Sequence, residues 1–214
     1  MRKTLTFCLF SLFAQAHTDS CKDIKLFNQD QLDVIEYAYN YGNKYGLGYT
    51  MAAIAWQESC AGRYRINFAD PSAGIYHAYL PNVIKRHYKK QDTPFRRNVV
   101  AEELISNRTF ASKIALEELL YWRKIRKNDW KAIIKSYNKG FSWENNPNKD
   151  KQAEAYYQGI AHKVKVLQGF FAKPRPPKPS TPKPTPQPKP ATPHKPTHKP
   201  PHKSTPNIRL LNEH

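Results

Sequence analysis

In the stretch Ala53-Ile54-Ala55-Trp56-Gln57-Glu58-Ser59-Cys60, a carboxylate, a hydroxyl and a thiol follow directly on an apolar run. Glu58 carries the most chemistry of the three. If the run is helical, the residues three, four and seven positions before it are Ala55, Ile54 and Met51, so its side chain stands at the edge of an inward-packed face. Desolvation there favours the protonated acid, the form that can hand a proton to a leaving oxygen at neutral pH. Two other readings stay open on position alone: a solvated charge, or a partner for Arg63 or Arg65.

Two further stretches bring polar groups in a fixed order after Glu58: Ser72-Ala73-Gly74-Ile75-Tyr76-His77, and then Ser136-Tyr137-Asn138-Lys139-Gly140. Tyr137 also reads as a core aromatic in line with Trp130 and Ile133, and a buried ring can still point its hydroxyl into a cleft. Asp70 is a candidate second carboxylate, although Asp beside Pro71 is ordinarily a turn residue.

The elements that must position these groups are mainly helical. Val34, Ala38, Tyr41 and Tyr45 keep helical spacing behind Asn28 or Asp30 as N-cap, which predicts a helix over 29–45. Gly46-Leu47-Gly48 breaks it and Thr50 is available to cap the next. Met51 to Trp56 is apolar on every side, the pattern of a short helix buried centrally; a buried strand would want more β-branched residues. Ala111, Ala115, Leu119 and Trp122 share a face. Trp130, Ile133, Ile134 and Tyr137 share another behind Asn128, and Ala153, Tyr157, Ile160, Val164 and Leu167 form the last stripe. The expectation is an all-α domain of five or six helices, with a short hairpin between Asn67 and Tyr79 and no internal repeat.

The ends differ from this domain in kind. Residues 1–16 have a basic start, Arg2 and Lys3, an apolar run too short to span a bilayer, and Ala14-Gln15-Ala16 as a small-x-small cleavage site. This layout predicts a signal peptide and export, rather than a mitochondrial presequence or an uncleaved anchor. Cys8 falls within it. Cys21 and Cys60 then remain in an oxidising compartment, where a disulfide is the simplest prediction and two buried thiols the alternative.

From 173 to 214 the chain holds 14 of its 18 prolines and nine Lys or Arg against one acid, Glu213. Such a segment cannot pack a core and is expected to be a disordered, semi-rigid arm. It supplies much of the formal charge of +18, which favours an anionic polymer as partner. No nucleic-acid motif is present, and an exported chain seldom meets nucleic acid, so envelope polymers or a membrane surface are the better match, with a solubilising spacer as the bland alternative. His194, His198 and His202 lack the compact geometry of a metal site, and neither metal nor cofactor is expected.

The ordered set of Glu58-Ser59, Gly74-Ile75-Tyr76-His77 and Tyr137-Asn138-x-Gly140, with the lead-in Tyr45-Gly46-Leu47, resembles the soluble lytic transglycosylases of goose-type-lysozyme-like fold. The resemblance covers roughly 30–168 and implies a lysozyme-like domain over 17–172. It implies Glu58 as the catalytic group, with Ser59, Gly74, His77, Tyr137 and Asn138 as substrate-binding positions around it. The implied substrate is the glycan of peptidoglycan, cleaved between N-acetylmuramic acid and N-acetylglucosamine to a 1,6-anhydro product, a bacteriolytic activity of the periplasm or cell envelope, whether cellular or phage-encoded. His77 stands where that family carries glutamine, which puts the sugar contacts of its loop in doubt. A hydrolytic muramidase on the same scaffold and a non-catalytic wall-binding protein are the alternatives.

Overall fold

The computed structural model describes residues 21–67 and 69–172, all within one unit, Met1–Pro174. The expected signal peptide at 1–16 and the tail at 173–214 lie outside the described residues. A single 3-10 turn, Ile24–Leu26, leads into α1 (Gln29–Asn43) and α2 (Gly48–Ser59). Three two-residue strands follow, β1 (Ile66–Asn67), β2 (Ser72–Ala73) and β3 (Ala78–Tyr79), paired antiparallel with Ile66 opposite Ala73 and Ser72 opposite Tyr79. The chain then runs through α3 (Leu80–Arg86), α4 (Pro94–Ser106), α5 (Arg108–Ile125), α6 (Trp130–Lys139) and α7 (Pro147–Phe171). The described residues are thus mainly helical, with seven α-helices rather than five or six, and the expected hairpin is a three-stranded meander.

Local chemistry sets the boundaries. Asn28 caps α1 through a reciprocal pair in which Gln31 N–H donates to Asn28 Oδ1 (2.9 Å) and Asn28 N–H donates to Gln31 Oε1 (3.2 Å). Two expected caps are corrected. Thr50 lies inside α2, which begins at Gly48, and its hydroxyl takes the indole N–H of Trp130 at 3.1 Å. Asp129, not Asn128, caps α6 by accepting from Ala132 N–H at 3.1 Å.

At the centre lies α2. From Met51 to Trp56 no residue is more than 2% exposed, which is why this helix is apolar all round instead of on one stripe. It packs on α1 and α7, and α7 packs on α6. Val34, Ile35 and Ala38 of α1 and Ala153, Ile160 and Leu167 of α7 are buried. Each fully buried large apolar side chain contributes about 1.5–3 kcal/mol.

The helix stops abruptly in two left-handed residues, Cys60 (φ 53°) and Ala61 (φ 56°). Such conformations cost roughly 1–3 kcal/mol apiece in non-glycine residues and persist only where the surroundings impose them. Cys60 is held twice here. Its sulfur is bonded to Cys21, with Cα atoms 5.5 Å apart, and its carbonyl accepts from the buried amide of Gln31 at 2.9 Å. The Trp56 indole N–H donates to the Cys21 carbonyl at 2.6 Å, so the start of the described chain is tied to α2 by two routes. The disulfide closes a separation of 39 residues, which in the chain-entropy model stabilises by up to about 4 kcal/mol. A Cys21→Ser, Cys60→Ser variant is therefore expected to unfold at a clearly lower urea midpoint than wild type, and an unchanged midpoint would show that the bond constrains little.

Candidate functional site

Glu58 occupies the last turn of α2, where the helix emerges from the core, and its side chain keeps 19% of its exposure. Its two carboxylate oxygens have different neighbours. Oε1 accepts the phenolic O–H of Tyr156 at 2.5 Å, a contact between α2 and α7 spanning 98 residues of sequence. Oε2 faces Nδ1 of His77 at 3.6 Å, an ion-pair distance too long for a good hydrogen bond.

His77 sits in the loop between β2 and β3 with φ 45°, a left-handed conformation that few residues other than glycine adopt. Its Nε2 lies 2.8 Å from the Tyr64 carbonyl, and only an N–H can serve there, so Nε2 carries the proton and Nδ1 is turned to Glu58. Burial works against the charged imidazolium, but the Glu58 carboxylate, the Tyr64 carbonyl and the field of Asp70 outweigh it and hold the His77 pKa above the ordinary histidine value. Both ring nitrogens are thus engaged within the protein, rather than offered to a sugar.

Ser59 was expected to touch substrate, but it is fully buried. Its one proton lies between the carbonyls of Ala55 (3.0 Å) and Ile75 (2.8 Å), and its oxygen accepts from Gly62 N–H (2.8 Å). The hydroxyl thereby ties the end of α2 to the loop that carries His77. Gly74 is likewise a scaffold residue. It is buried at φ 84°, donates its N–H to the Arg65 carbonyl at 2.8 Å, and a Cβ there would come within 2.9 Å of the Leu104 carbonyl.

Tyr137 lies at the same centre, but its hydroxyl donates to the Tyr76 carbonyl at 3.4 Å instead of to the carboxylate. Burial first, and then the nearby Glu58 charge, push the Tyr137 and Tyr156 phenols well above the usual tyrosine pKa, so both remain proton donors at any physiological pH. Asn138 is half-buried on α6, and no side-chain hydrogen bond to another described residue engages its amide. Asp70 is exposed in the turn between β1 and β2, with Oδ1 taken by the Ser72 hydroxyl at 2.5 Å, which is the turn role. Arg65 does not pair with Glu58 but donates to the Gly62 and Ile105 carbonyls, both at 2.9 Å.

Tyr156 is the residue that sequence reasoning missed. It stands beside Tyr157 of the apolar stripe on α7, and only the fold shows that it turns towards α2. A cavity of about 370 Å³ is lined by Gly62, Arg63, Tyr64, Arg65, Ile66 and Ile105; Glu58, His77, Tyr137 and Tyr156 are not in its lining, and its link to them is the Tyr64 carbonyl bonded to His77. Among the described residues no cluster of three His, Cys, Asp or Glu is placed to hold a metal, and no helix is long and apolar enough to cross a membrane. The arrangement suits proton transfer: one carboxyl group, one oxygen fixed by a phenol, the other facing outward beside an imidazole.

The His77 environment makes a stability prediction with a definite sign. A histidine whose folded pKa is raised stabilises the fold fully below its unfolded value near 6.5, and that contribution is lost as pH rises through the folded value. The stability lost in His77→Asn, measured by urea unfolding, is expected to be larger at pH 5.5 than at pH 8.5. Asparagine tolerates the left-handed backbone, so the difference between the two pH values isolates the titration.

No family model matches the chain, and no solved structure matches it. Among curated proteins it is similar to the "Uncharacterized 20.7 kDa protein in vs-regB intergenic region" of Enterobacteria phage T4, with 30% identity over 162 aligned residues. The alignment takes in 66% of this chain and 84% of the T4 protein. With most of that protein's length covered at this identity, the chain belongs to the same family as the T4 protein.

Proposed function

We propose that the protein is a peptidoglycan lytic transglycosylase of lysozyme-like fold, exported to the periplasm or cell envelope, with Glu58 as its acid and then its base. The observation that carries this reading is the unequal treatment of the two Glu58 oxygens. Because Tyr156 donates to Oε1, the transferable proton of the acid form belongs on Oε2, the oxygen beside His77. From there it passes to the oxygen joining N-acetylmuramic acid to N-acetylglucosamine as the bond to the anomeric carbon breaks. The carboxylate left behind takes the proton of the muramic 6-hydroxyl as O6 bonds to the anomeric carbon of its own ring. Atoms balance without water, and Glu58 ends protonated as it began.

Glycosidases that use two carboxylates place them about 5 to 9.5 Å apart, one as acid and the other as nucleophile or base. Among the described residues the polar partners of Glu58 are a phenol and an imidazole, and Asp70 Oδ1 is taken by the Ser72 hydroxyl in its own turn. One carboxyl group doing both jobs fits that chemistry. Asn138, half-buried on the helix that carries Tyr137, is assigned to the substrate, while Ser59 and Gly74 hold the walls. The basic 173–214 arm is assigned to anionic envelope polymers, and kinship with a phage protein favours a phage-encoded enzyme.

Glu58→Gln should fold as wild type and lose roughly 100- to 10,000-fold in release of soluble muropeptides from purified sacculi. Tyr156→Phe, which removes a hydrogen bond to a charged group of about 1.5–3 kcal/mol, should lose about 10- to 100-fold. Sacculi that bind both proteins but release nothing even with wild type would point to a wall-binding protein, and reducing ends in place of anhydro ends to a muramidase.

A further inference from the structure

A second cavity, of about 180 Å³, lies in another part of the fold, between α3 and α4, and is lined by Ile84, Tyr88, Phe95, Val99 and Val100 with Lys90, Arg96 and Glu103 among them. Phe95 and Val99 are one helical turn apart on α4 and share this lining, yet are 74% and 50% exposed. Phe95 is the most exposed of the large apolar side chains among the described residues.

Cations outnumber acids around this apolar pair. Lys85, Lys89 and Lys90 are exposed, and Arg96 donates to the Gln91 carbonyl at 2.8 Å, a contact that leaves its charge uncompensated. Asp92 is paired with Arg97 at 2.5 Å, while Glu103 accepts the neutral Tyr88 hydroxyl and keeps its charge. Glu102 is exposed on α4, three residues beyond Val99.

An exposed aromatic at the start of a helix, a second apolar side chain one turn on and an excess of cations beside them match an interfacial lipid contact, in which the apolar groups enter the headgroup boundary and the cations meet anionic lipid. We propose that this α3–α4 face docks the protein on an anionic lipid surface as a peripheral contact. The inference rests on neither Glu58 nor the cleavage reaction.

The test is sedimentation of the full chain with phosphatidylcholine vesicles containing about 30% phosphatidylglycerol, and with phosphatidylcholine alone. Wild type is expected to pellet with the anionic vesicles and not with the neutral ones. Phe95→Ser with Val99→Ser, at exposed positions and with folding checked by melting temperature, is expected to weaken partitioning about tenfold, as is Lys89→Glu with Lys90→Glu. Because the basic arm of the full chain can also bind lipid, Phe95→Trp supplies a local readout as the difference from the wild-type spectrum with its four tryptophans: that difference emission should shift to the blue on the anionic vesicles. The proposal is overturned if wild type does not pellet, if the serine variant pellets equally well, or if the Phe95→Trp emission does not move. Concentration-dependent dimerisation without lipid that the serine variant abolishes would assign the face to a second copy and overturn it as well.

Discussion

Everything at the candidate site depends on how α2 is buried. A helix enclosed on all sides from Met51 to Trp56 has only its final turn in which to carry a charged group to the surface. Glu58 is therefore fixed in position by the same packing that makes the core, and α1, α7 and the Cys21–Cys60 bond act on it by acting on the helix. Of the two left-handed residues that follow, Cys60 is held by the disulfide and Gln31, and Ala61 by its N–H donating to the Ala55 carbonyl at 3.0 Å. Ser59, with three hydrogen bonds and no exposure, passes that rigidity on to the loop bearing His77.

Around this fixed carboxylate the protein has gathered groups that titrate far apart. The phenols of Tyr137 and Tyr156 are driven upward by burial and by the Glu58 charge itself, so they donate and never compete for the proton. His77 has burial working against its charged form, yet carboxylate and carbonyl prevail. A group meant to move a proton is best surrounded by neighbours whose own protons stay in place, and the two phenols meet that condition.

The parts of this arrangement differ in how legible they are from sequence. The stripes of α1, α5, α6 and α7 declare themselves because one face of each is buried at helical spacing. α3 buries Leu80, Val83 and Ile84 at helical spacing but is only seven residues long, and α4 buries only Val100 and Leu104, so neither writes a pattern long enough to stand out. Glu58 is readable because its apolar lead-in is contiguous with it, and the cysteine pair because the expected signal peptide would take Cys8 and leave two. The Glu58–Tyr156 contact spans 98 residues and has no local signature. Asn128 misleads as a cap because it takes a left-handed backbone, φ 67°, one residue before Asp129, whose side chain does accept the helix N–H. Ser59 and Gly74 mislead for another reason: a polar or permissive residue beside a site serves the backbone as readily as a ligand, and only burial tells the two apart.

The central claim is that one carboxylate suffices because the attacking oxygen belongs to the substrate. Digestion of sacculi in water enriched in oxygen-18, followed by mass spectrometry of the released muropeptides, tests it most directly. The account predicts muramic ends that are 18 Da lighter than reducing ends and free of the heavy isotope. Muramic ends that carry oxygen-18 at the anomeric carbon would contradict it.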